Sequence, residues 1–107
     1  MVKTRQEIEM IINKYRTALE TLGIRSEKII LYGSYAKGKA REDSDIDLII
    51  VSSDFSGKDL RERLEMLGIA AARIMAPIQA QGFTQQEIDP EKRSSFIEEV
   101  LEYGEAA

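Results

Sequence analysis

The chain has 107 residues, 43% of them hydrophobic and 32% charged, enough apolar material for one packed core and too little chain for a second folded module. It holds no Cys and no His, which excludes disulfides, thiolate and imidazole metal sites, cysteine nucleophiles and imidazole proton relays. A net charge of -4 argues against broad nucleic-acid binding, and the polar start and short apolar runs argue against a signal peptide or a membrane span, so a cytoplasmic protein with one domain over residues 1–107 is expected.

In chain order, Thr4 and Glu7 form a capping box, and Ile8, Ile11, Ile12, Tyr15, Ala18, Leu19 and Leu22 recur at helical spacing until Gly23. Lys28 to Tyr32 is a short β-rich run stopped by Gly33, and Ser34 to Ser44 is small and polar. Ile46 to Val51 is apolar on both faces, the pattern of a central strand covered on each side. Leu60, Leu64, Leu67, Ala71 and Ile74 predict a second amphipathic helix, which tolerates Gly68. Pro77 to Phe83 suits an edge strand, since proline cannot donate into a ladder. Asp89-Pro90, or Ser95 with Glu98, opens a last helix carrying Phe96, Ile97, Val100 and Leu101 and closed by Gly104. The alternation predicts an α/β architecture with helices packed on a small mixed sheet.

The chemistry concentrates in residues 32–48. Asp45 and Asp47 are two apart at a strand start, so their carboxylates project from one face roughly 7 Å apart along the chain. Two such carboxylates repel unless a cation lies between them, and they are the hard oxygen ligands that Mg²⁺ takes while keeping waters and substrate phosphates. Gly33-Ser34 ends a strand and enters a turn where backbone N–H groups point outward and glycine lets a phosphate approach the main chain. Lys37, Lys39 and Arg41 are either a solvated loop or cations placed to meet a triphosphate. Asp45 and Asp47 could equally be a solvated turn. Asp43, Asp45 and Asp47 mimic the opening of a calcium loop, but Leu48 stands where that loop needs Gly.

Gly33-Ser34, ten intervening residues, then Asp45-x-Asp47 leading into an apolar strand resembles the signature of the nucleotidyltransferase fold of the polymerase beta superfamily. The whole chain is similar to the minimal nucleotidyltransferase (MNT) domain, including a C-terminal helix such as Ser95 to Tyr103, and the order α-β-α-β-α-β-α is expected. The resemblance implies metal-dependent transfer of a nucleoside monophosphate, AMP being the expected one, from an NTP to a hydroxyl. Asp45 and Asp47 would be the catalytic carboxylates and ligate Mg²⁺ or Mn²⁺. Gly33 and Ser34 would hold the β- and γ-phosphates, with Lys37, Arg41 and Ser44 completing the nucleotide contacts. In the family a third carboxylate comes from a later strand, here Pro77 to Phe83, which carries no acid. Gln79, or Gln81 on the same face, stands in its place, and an amide cannot deprotonate an acceptor hydroxyl. Glu87 and Asp89 fall in the following loop as distant substitutes.

MNT proteins of this size resemble the antitoxin half of pairs whose other member is a helical HEPN ribonuclease. Two functions therefore stand side by side. One is an enzyme adenylylating a HEPN-type partner; the other is a nucleotide-binding or partner-binding module that neutralises its partner by complex formation. Association, with a second copy or with a partner, is also expected, because Phe83, Phe96 and Tyr103 are apolar or aromatic residues that so small a sheet can leave uncovered.

Overall fold

The computed structural model describes residues 2–107. Helix α1 (Arg5–Thr21) begins at the expected capping box: Thr4 Oγ1 accepts from the Glu7 N–H at 3.1 Å and the Glu7 carboxylate accepts from the Thr4 N–H at 2.8 Å. Strands β1 (Lys28–Tyr32) and β2 (Ile46–Val51) follow, then α2 (Leu60–Arg73), β3 (Ile78–Phe83), α3 (Ser95–Tyr103) and β4 (Glu105–Ala106), with single 3-10 turns at Ser53–Phe55 and Gln86–Ile88. The sheet order is β3-β2-β1-β4. β1 runs antiparallel to both β2 and β4, whereas α2 carries the chain over to β3, which lies parallel to β2 at the sheet edge. This is a mixed sheet with helices packed on it, as the alternation of patterns predicts.

β2 is buried on both faces for the reason its composition suggests. Ile46, Leu48 and Ile50 enter a core with Ile12, Tyr15 and Leu19 of α1 and Leu67 and Ala70 of α2, while Ile49 and Val51 pack with Ile30 against Ile97 and Val100 of α3. Tyr15 is fully buried, and its hydroxyl donates to the Leu67 carbonyl at 2.9 Å, tying α1 to α2. Burial pushes the Tyr15 phenol up.

The element order differs from the expected α-β-α-β-α-β-α in two places. Between β1 and β2 there is no helix but a single helical turn. The Lys37 N–H donates to the Gly33 carbonyl at 3.1 Å and the Lys39 N–H to the Ser34 carbonyl at 2.9 Å, and Gly38 at φ +70° supplies the left-handed residue that ends a helix in this way. The short strand β4 was not expected, because two residues carry no period. Further along, Asp59 and Glu62 form a capping box for α2, and the α3 N-cap is Ser94, whose hydroxyl accepts from the Ile97 N–H. The predicted apolar stripe of α2 is only partly covered: Leu67 and Ala71 are buried, but Leu60 is 70% and Leu64 46% exposed. Phe96 and Tyr103 are exposed as expected, whereas Phe83 packs against the α3 core.

One polar side chain knits the far end of the sheet. The Arg63 guanidinium donates to the carbonyls of Lys58, Gly82 and Phe55 at 2.9, 3.1 and 3.0 Å, contacts Glu87 Oε1 at 2.6 Å and lies 5.7 Å over the Phe55 ring. Lysine, with a point charge in place of the planar fork, cannot serve all four acceptors. Arg63→Lys and Arg63→Ala are therefore expected to lower stability by about 2–3 kcal/mol in urea melts. The Arg63 hydrogen bond is the main cause holding the Glu87 carboxyl below its ordinary value of 4.5. Its stabilising effect is complete above that value and is lost as pH falls through the lower, folded one. Glu87→Gln should flatten the acid limb of the stability curve below about pH 4.5, with no change near neutrality in that slope.

Candidate active site

The site forms where β1 leaves the sheet and β2 enters it. Gly33 follows β1 directly and has φ +74°, a left-handed conformation that favours glycine. Its Cα faces the side chain of Asp47: a Cβ built there would overlap Asp47 Oδ2 and lie 3.1 Å from Cγ. The Gly33 turn and the strand carrying Asp47 are thus packed against each other with no room for a side chain between them. Asp45, the residue just before β2, is exposed, while Asp47 within the strand is half-buried. Burial raises the Asp47 carboxyl, and the neighbouring Asp45 charge pushes it the same way.

Register completes the cluster. Asp47 lies opposite Tyr32 in the antiparallel ladder and level with Gln79 in the parallel one, so all three share the face that carries α3. Of the two amides left open by the sequence, Gln79 stands beside Asp47, and Gln81 is one pleat further on, level with Ile49. Burial is the chief cause raising the Tyr32 phenol, Asp47 adds to it, and a hydrogen bond from the Gln81 side chain opposes it. Glu87 and Asp89 cannot substitute for a third acid. β3 runs parallel to β2, so the loop after Phe83 emerges beside Val51, about 13 Å along the strand from Asp47. Glu87 is moreover committed to Arg63 and to the Thr84 N–H. Among the described residues no group of three or more acidic side chains is placed to hold a metal ion.

The loop residues divide. Ser44 accepts from the Arg41 N–H at 2.7 Å through its hydroxyl, and its own N–H returns to the Arg41 carbonyl at 3.0 Å, so it closes the turn that delivers Asp45. Arg41 and Lys39 are exposed. Lys37 reaches toward α3, its Nζ 4.0 Å from Glu99 Oε1, an exposed pair of small energetic value. Between the Gly33 turn and α3 is a cleft of about 230 Å³ lined by Tyr32, Gly33, Lys37, Phe96, Glu99 and Tyr103. Tyr32 and Phe96 meet edge to face, centroids 5.6 Å apart. Phe96 and Glu99 escaped the sequence reading as site neighbours, since only the docking of α3 brings them to Gly33. A second cavity of about 260 Å³, between α1 and β4, borders neither aspartate.

The chain matches the model of the nucleotidyltransferase domain over residues 12–104. It is 36% identical over 78 residues to the protein adenylyltransferase MntA of Thermococcus cleftensis, covering 67% of this chain and 77% of that protein. It is 30% identical over 105 residues to MJ0141 of Methanocaldococcus jannaschii, covering 92% and 96%. Among solved structures, a crystal structure of a toxin-antitoxin with AMP-PNP superposes with a TM-score of 0.62 at 21% identity, over 88% of this chain and 69% of the other.

Proposed function

The chain belongs to the nucleotidyltransferase-domain family, and from that premise we propose that it transfers AMP from a metal-bound ATP to a hydroxyl on a protein partner, a helical HEPN-type toxin that is silenced as a result. The observation that carries this is the packing of Gly33 against Asp47, which holds a turn suited to phosphate and a carboxylate suited to metal at contact distance. The protein acceptor is supported by the name of the Thermococcus relative, and the antitoxin role by the structural neighbour that pairs a toxin with an antitoxin.

The donor set fits a hard divalent cation: two neighbouring carboxylates, one of them raised by burial and by the other's charge, beside an amide at Gln79 level with Asp47. Mg²⁺ or Mn²⁺ held by Asp45 and Asp47 would neutralise charge on the triphosphate. Gly33 and Ser34 receive the β- and γ-phosphates, and Lys37, Arg41 and Ser44 border them from the loop. The acceptor oxygen forms its bond to the α-phosphorus in line with the breaking bond to the β-phosphate oxygen, and pyrophosphate leaves. With an amide at Gln79 where a carboxylate would take it, the acceptor's proton is lost to solvent water, without the rate gain of a positioned base.

That gap favours a second reading, in which the chain binds nucleotide and partner and acts by complex formation. The two readings share a nucleotide site and differ in turnover. Calorimetry with Mg-ATP tests the site: the Asp45→Asn, Asp47→Asn double variant is expected to lose binding while its thermal midpoint without ligand rises, because two unneutralised like charges are removed. Undiminished binding by a folded double variant would remove these residues from the site. Labelled ATP with a co-expressed HEPN-type protein then separates transfer from silent binding.

A further inference from the structure

We propose that the outer edge of β3 is an interface between two copies of this chain, which pair antiparallel about Ala80 and join their sheets. β3 is the terminal strand. In its ladder with β2 the Pro77 carbonyl accepts from the Ile46 N–H at 2.8 Å and the Phe83 carbonyl from the Ser52 N–H at 2.9 Å. By alternation, residues 77, 79, 81 and 83 aim their backbone groups at β2, and Ile78, Ala80 and Gly82 aim theirs away. Two of these outward groups are satisfied within the chain. The Ile78 N–H donates to the Ala76 carbonyl at 2.9 Å, and the Gly82 carbonyl accepts from Arg63 Nη1 at 3.1 Å. Among the described residues nothing in the chain bonds the Ile78 carbonyl, either group of Ala80 or the Gly82 N–H, which face outward.

These four groups are self-complementary. With Ala80 opposite Ala80 of a second copy, the two residues exchange a pair of N–H···O bonds, and each Gly82 N–H meets the other copy's Ile78 carbonyl. Every open group is used, and neither of the groups committed within the chain is needed. A strand of unrelated sequence in this register would leave its own carbonyl opposite the Ile78 N–H and its own N–H opposite the Gly82 carbonyl unpaired, whereas in a second copy the groups at those two places are already bonded within their own chain. The side chains agree with a second copy as the occupant. The six residues of β3 include no charge and no proline, the devices that normally keep sheet edges apart. Leu60 and Leu64, exposed on α2, border the same edge in a groove with Ile78 and Ala80, so the two-fold axis brings each α2 toward its mate. On the opposite face Gln79 stands across from the second copy's Gln81, which thereby borders the site at Asp47.

Sedimentation velocity over a concentration series is expected to show a reversible dimer, and Leu60→Lys with Leu64→Lys should raise its dissociation constant at least about tenfold, with the far-UV circular dichroism unchanged. The register has its own test, because the chain has no cysteine. The Gln79→Cys, Gln81→Cys double variant should cross-link to a covalent dimer on mild oxidation, since cross-strand residues of this kind lie about 4.5 Å apart. Gln79→Cys alone should not. A monomer at every concentration, a dimer indifferent to the leucine changes that gives no cross-link, or protection of the β3 amides only when a different protein is added would each overturn the proposal. None of these readouts involves nucleotide, so their failure is distinct from failure of the transferase reading.

Discussion

Gln79→Glu is expected to raise AMP transfer to a HEPN-type partner by ~10²- to 10⁴-fold over the parent chain, the range a positioned general base contributes. The register sets Gln79 level with Asp47 on the same face of neighbouring parallel strands, so a carboxylate introduced there joins the two acids already present. The glutamine amide offers an oxygen to a cation but cannot accept the acceptor's proton. Gln79 is exposed, so the substitution should leave the fold intact. Transfer is read with labelled ATP, and Gln81→Glu, one pleat away and level with Ile49, is the control expected to give little gain. A parent chain that already turns over at an ordinary enzyme rate, and keeps that rate in Gln79→Ala, would show that the position is not the missing third acid.

Gly33→Ala should cost about 2–4 kcal/mol of stability and abolish Mg-ATP binding. Roughly 1–2 kcal/mol comes from forcing an L side chain into the left-handed conformation, and the remainder from displacing the Asp47 carboxylate that a Cβ would overlap. Gly38→Ala separates the two contributions, because Gly38 has nearly the same φ, +70° against +74°, but nothing within 4 Å of a Cβ. It should lose only the conformational part and keep nucleotide binding. Urea melts and calorimetry on both variants check this. Equal losses of stability in the two, with binding retained in both, would mean that the approach of Gly33 to Asp47 has no functional weight.

No helix among the described residues is long and apolar enough to cross a membrane, yet Leu60, Leu64, Phe96 and Tyr103 leave apolar surface on two separate helices. The α2 pair borders the β3 edge, and the α3 pair borders the cleft beside Gly33. A toxin partner seated at the α3 cleft would leave the β3 edge open, so dimerisation and partner binding need not compete.

What the amino-acid order determined by itself is local. The Thr4 and Glu7 box, the helical stripe of α1, the doubly apolar β2 and the stop at Gly33 each depend on residues a few positions apart, and the structure has them within a residue of where the pattern puts them. The nearness of Asp45 and Asp47 is local in the same way, since only Ile46 separates them at the start of β2. Tertiary structure decided which strand lies beside which. Periodicity tells a residue which way to face but not what it will meet, so the alignment of Tyr32, Asp47 and Gln79 and the approach of Asp47 to Gly33 had to wait for the ladders to form. The same limit explains Leu60 and Leu64. Their spacing marks an apolar helix face, but α2 rests on the sheet through Leu67, Ala70 and Ala71, and how far a helix overhangs the last strand is set by sheet width and packing, which no local pattern encodes.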